Sequence, residues 1–380
     1  MLLSRLTLSE FRNYAALTWR PASRIAAISG ANGSGKTNLL EAISLLVPGR
    51  GLRSARVAEL ARRAPGASGR WAVTGRFASP AGEADIATGT PPEGPADRRV
   101  FRLDGAAPRS QAELAGHAAA VWLTPQMDRL FQEAASGRRR FLDRLVWALE
   151  PSHAREVGAH DTALAQRNRL LARHSEDRAW LAGVEDALAR HAVAVTAARA
   201  ALVDRLNAAL AGGASGGFPP ARMALLCPIA ERLRGASALD VEEWLRDGLA
   251  ASRAADAQAG GASLGAHRAD MTLADAASGL PASLASTGQQ KALLIGVVLG
   301  HAALIAQARG FAPLLLLDEP AVHLDPARRA ALFAAVSSLP AQILMTGTDR
   351  EVFAPLAGAA EFLRTHEGTL LADPDMPIPC

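Results

Sequence analysis

Apolar Leu6, Leu8 and Phe11 are spaced among polar residues near the start of the chain, and their alternation predicts a strand over residues 2–8. Residues 24–29 form a short apolar run that reads as a buried strand, and residues 38–43 continue as a helix. Strand patterns return at 71–77 and 100–103, the second ending at Asp104-Gly105, with a Pro/Gly/acidic hairpin tip or loop over 89–97. From about residue 127 the period changes. Phe141, Leu142, Leu145, Val146 and Leu149 recur at helical spacing, and the next stretch is rich in Ala, Leu and Arg with few breakers. A Gly/Ser/Pro segment over 211–220 reads as a flexible break between helical blocks, and residues 240–258 again look helical. From Leu284 an α/β pattern returns: a buried helix through 292–305, a strand at 314–317, a helix opened by Asp325 as N-cap with Pro326 behind it, and a strand at 342–346. There is no internal repeat. The pattern predicts an α/β fold whose two ends, residues 1–125 and 265–380, form one lobe, with a mainly helical lobe or short arm over 126–264.

Composition narrows the class. At 380 residues, 49% hydrophobic and 21% charged, the chain reads as globular with room for a large core. A net charge of +4 favours a polyanionic partner, while an aromatic content of 4% argues against base stacking as the main way of holding it. Cys227 and Cys380 are too few for a disulfide framework or a zinc site, which suits a reducing cytosol. The chain enters its strand pattern without a leader-like segment, and the apolar run 292–305 is shorter than a membrane span and includes His301, so a cytoplasmic protein without a membrane anchor is expected.

The chemistry lies at the two ends. Gly30, Ala31, Asn32, Gly33, Ser34, Gly35, Lys36 and Thr37 fit the phosphate-binding loop G-x-x-x-x-G-K-[ST] between a strand and a helix. Backbone N–H groups of such a loop wrap phosphates, the lysine reaches the β- and γ-phosphates, and the threonine hydroxyl ligates Mg²⁺. Four leucines at 314–317 deliver Asp318 and Glu319 to the end of a buried strand, Asp318 to help hold Mg²⁺ and Glu319 to polarise an attacking water. The cofactors expected are therefore ATP and Mg²⁺.

Ser286, Gly288 and Gln289 resemble the signature of ABC-type ATPases, with Thr287 replacing a glycine, and in those proteins the signature completes the site of a second protomer. That resemblance implies an ATP-dependent homodimer. Gln126 occupies the place of a Q-loop, touching Mg²⁺ and water, and Leu324-Asp325 resembles a D-loop. No switch histidine is present, and Thr348 stands as its substitute, so slow turnover is expected. Of 41 basic residues only Lys36 and Lys291 are lysine, and both fall inside these motifs. Lys36 suits a cradle with room for a compact ammonium; Lys291 has no comparable account from the sequence.

Six segments, 8–14, 30–43, 137–143, 164–171, 265–270 and 286–291, together resemble the RecF family of bacterial replication and repair ATPases along the whole chain. The resemblance implies an SMC-like ATPase head with a short helical arm that dimerises on ATP and binds single-stranded and gapped DNA and single-strand/double-strand junctions. It also implies work with RecR and RecO in placing RecA on gapped DNA, in recombinational repair and the SOS response. By the same resemblance Arg53 and Arg56, beyond the loop's helix, are the best-placed DNA contacts, ahead of Arg138, Arg139 and Arg140. An ABC transporter subunit would instead carry a switch histidine and a much shorter spacing between loop and signature. A DNA-binding module with a vestigial nucleotide fold would not need Lys36, Thr37, Asp318 and Glu319 together.

Overall fold

The computed structural model describes residues 1–79, 82–173 and 177–373. They form two units, one from Met1–Arg129, Ala209–Ala221 and the chain from Ala285 onward, the other from Leu130–Ala208 and Arg222–Leu284.

The first unit holds two sheets. One is antiparallel, in the order β2 (Tyr14–Trp19), β1 (Leu2–Phe11), β4 (Ala72–Ser79), β5 (Gly82–Gly89), β6 (Val100–Leu103). The other runs β13 (Thr369–Ala372), β12 (Ala360–His366), β3 (Ile25–Ser29), β11 (Ile343–Gly347), β10 (Leu314–Leu317), β7 (Ala120–Leu123), parallel throughout except for β13 at its edge. Every residue of β3, β7 and β10 is buried, which is why these strands read as unbroken apolar runs while β1 alternates. Helices α1 (Lys36–Ser44), α2 (Gln111–His117), α9 (Thr287–Arg309) and α10 (Pro326–Ser338) complete this unit.

Register in the parallel sheet positions the candidate site. Leu317 pairs with Leu123 on one side and Met345 on the other, and Gly347 pairs with Ser29. The carboxyl ends of β3, β7, β10 and β11 therefore stop at one edge, where ligands of parallel sheets bind. Helix α9 is long and apolar enough to cross a membrane by length and composition, yet 78% of its most apolar window is buried inside the protein. It is a core helix, as the run 292–305 indicated.

The second unit packs α3 (Ala135–Leu149), α4 (His153–Ala172), α6 (Pro228–Leu233), α7 (Ala238–Ala251), α8 (Arg253–Ala259) and most of α5 (Arg178–Ala211) with a ribbon of β8 (Ala221–Leu226) and β9 (Asp270–Asp275). Its polar core is made of ion pairs. Arg167 is fully buried between Glu185 at 2.9 Å and Asp256 at 2.8 Å, and Arg199 makes a two-pronged bond to Asp143, which His153 also contacts. Burial works against ionisation of Asp143, but the bonds from His153 and Arg199 outweigh it and hold the carboxyl below its ordinary range.

Two expectations change here. The segment 211–220 is folded rather than a loose break: Ser215 Oγ donates to the Phe218 carbonyl at 2.9 Å, and Phe218 is buried. It leads into the strand β8, whose residues are alternately buried and exposed, rather than into another helix. Strands β2 and β5 also lie where no strand was predicted, because half or more of their residues are Ala, Thr and Gly, which write the period-two pattern weakly.

Candidate nucleotide site

The loop between β3 and α1 is shaped by close approach. A Cβ on Gly35 would lie 2.4 Å from Asn13 Nδ2, and one on Gly30 2.5 Å from Thr365 Oγ1; both glycines also have positive φ. Ala31, Asn32 and Gly33 form the exposed crest, and Ser34 Oγ bonds Thr365 Oγ1 at 2.6 Å. From behind, the turn joining β1 to β2 holds the loop, with Asn13 Nδ2 donating to the Ser34 carbonyl at 3.0 Å and the Tyr14 hydroxyl to the Gly35 carbonyl at 3.0 Å. The N-terminus of α1 carries no acidic residue and no side-chain cap. Its first N–H groups are left to face a position suited to an anion.

Lys36 is buried and folds back on the loop, Nζ donating to the carbonyls of Gly30 at 2.7 Å and Ala31 at 3.0 Å. Burial lowers its pKa, with the charges of Glu319 and Asp318 pulling the other way. Thr37 Oγ1 donates to Asp318 Oδ1 at 3.0 Å, so residues 281 apart in the chain share a hydrogen bond. The same oxygen accepts from Thr346 Oγ1 at 2.7 Å, and Asp318 N–H donates to the Leu123 carbonyl. Thr37 and Asp318 present the hard oxygen donors that Mg²⁺ takes when phosphates and waters supply its remaining ligands.

Glu319 comes next in the left-handed region, with φ of 50°, and precedes Pro320. That backbone costs about 1–3 kcal/mol and needs support. Its N–H donates to Thr346 Oγ1 at 3.1 Å and its carbonyl accepts from Lys291 Nζ at 2.9 Å. Glu319, His323, Thr346 and Thr348 line one cavity of about 160 Å³. Thr348 itself is exposed in the loop after β11; the hydroxyl that bonds Asp318 and the Glu319 amide is that of Thr346, two residues earlier.

The remaining candidates lie around this edge. Gln126 is exposed in the turn Pro125–Arg129 directly after β7. Ser286 caps α9, accepting from the Gln289 N–H while Gln289 Oε1 accepts from the Ser286 N–H, and both residues are exposed. Gly288 stands so close to the His323 carbonyl that a Cβ would approach it to 2.8 Å, which sets the signature turn against the segment leading to Asp325. Asp325 caps α10 through the Arg328 N–H. Arg53 donates to Asn38 Oδ1 at 2.7 Å and pairs with the buried Glu41, which Arg12 also grips with two bonds. Arg56 N–H bonds the Glu59 carboxylate. Sequence reasoning does not single out Asn13, Tyr14, Thr346 or Asp128 as site residues; their signal is position beside a motif, which spacing within one segment does not reveal.

The chain matches the family described as RecF/RecN/SMC N terminal domain over residues 2–367. It is 47% identical over 371 residues to the DNA replication and repair protein RecF of Mesorhizobium japonicum, covering 97% of each chain. The chain belongs to the RecF family. The RecF of Brucella suis is 44% identical over 376 residues, covering 97% of this RecF-family chain and 95% of the relative. Among solved structures, the recombination mediator protein RecF-ATPrS in the RecFOR pathway superposes with a TM-score of 0.82 at 21% identity, covering 98% of both chains. An SMC head bound to the C-winged helix domain of ScpA gives a TM-score of 0.54 at 16% identity, covering 98% of this chain and 97% of that one. The fold is that of an SMC-type ABC ATPase head.

Proposed function

We propose that this chain is an ATP-switched DNA-binding protein of replication and recombinational repair, with ATP as substrate and Mg²⁺ as its metal. The observation that carries the reading is the meeting of Thr37 and Asp318 at 3.0 Å beside the buried Lys36, which joins the two motifs from opposite ends of the chain. The loop amides and Lys36 bind the phosphates, Lys36 exchanging the carbonyls of Gly30 and Ala31 for phosphate oxygens. Thr37 and Asp318, joined by Gln126 from the turn after β7, hold the metal. When bound, Mg²⁺ neutralises charge on the phosphate oxygens. Glu319 orients the attacking water, while Thr348 offers a hydroxyl in place of an imidazole, which leaves hydrolysis slow.

The exposed Ser286 and Gln289, with the half-buried Gly288 between them, face a second copy's nucleotide, with Asp325 at the same interface, so ATP closes a homodimer. The dimer binds single-stranded and gapped DNA and the junctions between single and double strands. It acts in the cytoplasm with RecR and RecO in RecA loading and in the SOS response; the name RecF carried by the curated relatives and a solved structure assigned to the RecFOR pathway support this placement.

The deciding experiment measures ATP affinity and ATP-dependent dimerisation for wild type and Lys36→Arg, with binding to gapped, single-stranded and duplex DNA alongside. The planar guanidinium does not fit where Nζ sits, so both ATP affinity and dimerisation should fall by about tenfold or more. A Lys36→Arg protein with unchanged affinity and dimerisation rules the assignment out.

A further inference from the structure

Lys291 is one of two lysines in a chain whose other 39 basic residues are arginine, and it is 1% exposed. It lies one turn into α9, past the signature turn, and its ammonium reaches in two directions. Nζ donates to the Glu319 carbonyl at 2.9 Å and pairs with Asp128 Oδ2 at 3.4 Å. Asp128 belongs to the turn Pro125–Arg129 that also carries Gln126. One buried charge thus ties the helix of the signature, the backbone of Glu319 and the turn after β7. Burial lowers the pKa of Lys291 and raises that of Asp128, while their mutual attraction acts against both shifts.

Glu319 is the residue in this group whose backbone needs holding. Its φ of 50° is unusual for a residue with a Cβ, and its N–H is held by Thr346. Lys291 holds the next peptide group, at the carbonyl. An arginine would carry the same charge, but its planar fork does not fit between a carbonyl and a carboxylate in so closed a space. This accounts for a lysine surviving here in a chain otherwise given over to arginine.

We propose that Lys291 is a positioning residue for hydrolysis: by fixing the Glu319 main chain it aims the Glu319 carboxylate, and it makes that aim depend on the placement of the signature helix and of the turn carrying Gln126. Contact between a second copy and the exposed Ser286 end of α9 reaches Glu319 through this ammonium. The inference rests on the nucleotide reading above.

The test compares wild type, Lys291→Met and the double variant Asp128→Asn/Lys291→Met, in which no buried carboxylate is left unpaired. ATP affinity is measured by equilibrium binding, and single-turnover and steady-state hydrolysis are measured with gapped DNA present. Both variants should bind ATP within about twofold of wild type and lose about tenfold or more in kcat. Recovery of kcat in the double variant would assign the defect to the orphaned Asp128 and overturn the proposal. A loss in ATP affinity, with or without a loss in kcat, would place Lys291 among the binding groups and overturn it as well. If Lys291→Met does not fold, the double variant carries the test by the same criteria; if neither folds, Lys291 is a stability residue and the positioning role is rejected. Unchanged kcat in a wild-type background that hydrolyses ATP removes this inference alone, whereas a wild type that neither binds nor hydrolyses ATP removes the nucleotide reading and this inference with it.

Discussion

At the scale of residues, the site is held by hydroxyls and backbone groups more than by charge. Thr346 is fully buried and its hydroxyl serves both Asp318 and the Glu319 amide. Thr346→Val keeps the shape and removes both bonds, so unfolding should show a loss of about 1–3 kcal/mol. ATP turnover should fall with it; wild-type stability in a denaturant titration would count against this account. His267 gives a pH-dependent prediction. Burial pushes its pKa down to about 4, helped by the nearby charges of His160, Arg268 and Arg139, although its bond to the Ala262 carbonyl works in the other direction. Between pH 6.5 and 4 the unfolded chain takes up a proton at this site that the folded chain refuses, so stability rises with pH there. The contribution is complete above pH 6.5 and is lost as pH falls toward 4, amounting to at most about 3 kcal/mol. His267→Gln should flatten that part of the profile when unfolding midpoints are compared from about pH 7 to about pH 4.5. An identical slope in the variant would show that other groups set it.

At the scale of elements, helix ends and strand ends carry the chemistry. The start of α9 is capped by the reciprocal bonds of Ser286 and Gln289, yet both side chains remain exposed. Ser286→Arg places a large cation where the partner's nucleotide would come. ATP binding by the monomer should stay within about twofold of wild type, while ATP-dependent dimerisation measured by sedimentation should be lost. A variant that fails to bind ATP as a monomer would contradict the composite site. The strand β10 was legible because it is buried on both faces and so spelled in leucine alone. Strands β8 and β9 were not, because a two-stranded ribbon among helices is specified by its pairing partner rather than by its composition.

At the scale of the whole molecule, the DNA-binding reading proposed above, taken with the basic balance of the chain and its scarcity of lysine and aromatics, predicts contact through arginine and phosphate. Binding to gapped DNA should be indifferent to base sequence and weaken steeply with salt. Arg53 is already engaged with Asn38 and Glu41, whereas the bond between Arg56 and Glu59 uses the Arg56 backbone N–H and not its guanidinium. Neutralising both should reduce the salt slope of ATP-dependent binding by about one to two. An unchanged slope would move the DNA surface elsewhere, most readily to the helical unit.

By itself the sequence determined the α/β ends, the helical middle and the identities of the loop, Asp318 and Glu319, because each is a local signal: period, glycine spacing, or an apolar run closed by carboxylates. Tertiary structure decided what those residues touch. Thr346 rather than Thr348 bonds Asp318, because Thr346 is the last buried position of β11 before the strand meets the edge shared with β10. Asn13 and Tyr14 support the loop because β1 and β2 turn back beneath it. Lys291 reaches Glu319 across 28 positions only because α9 packs against β7, the strand next to β10, and the turn that follows it. Hydrogen bonds between distant segments leave no period in the chain, so these partners become visible only when the sheet sets its strand ends side by side.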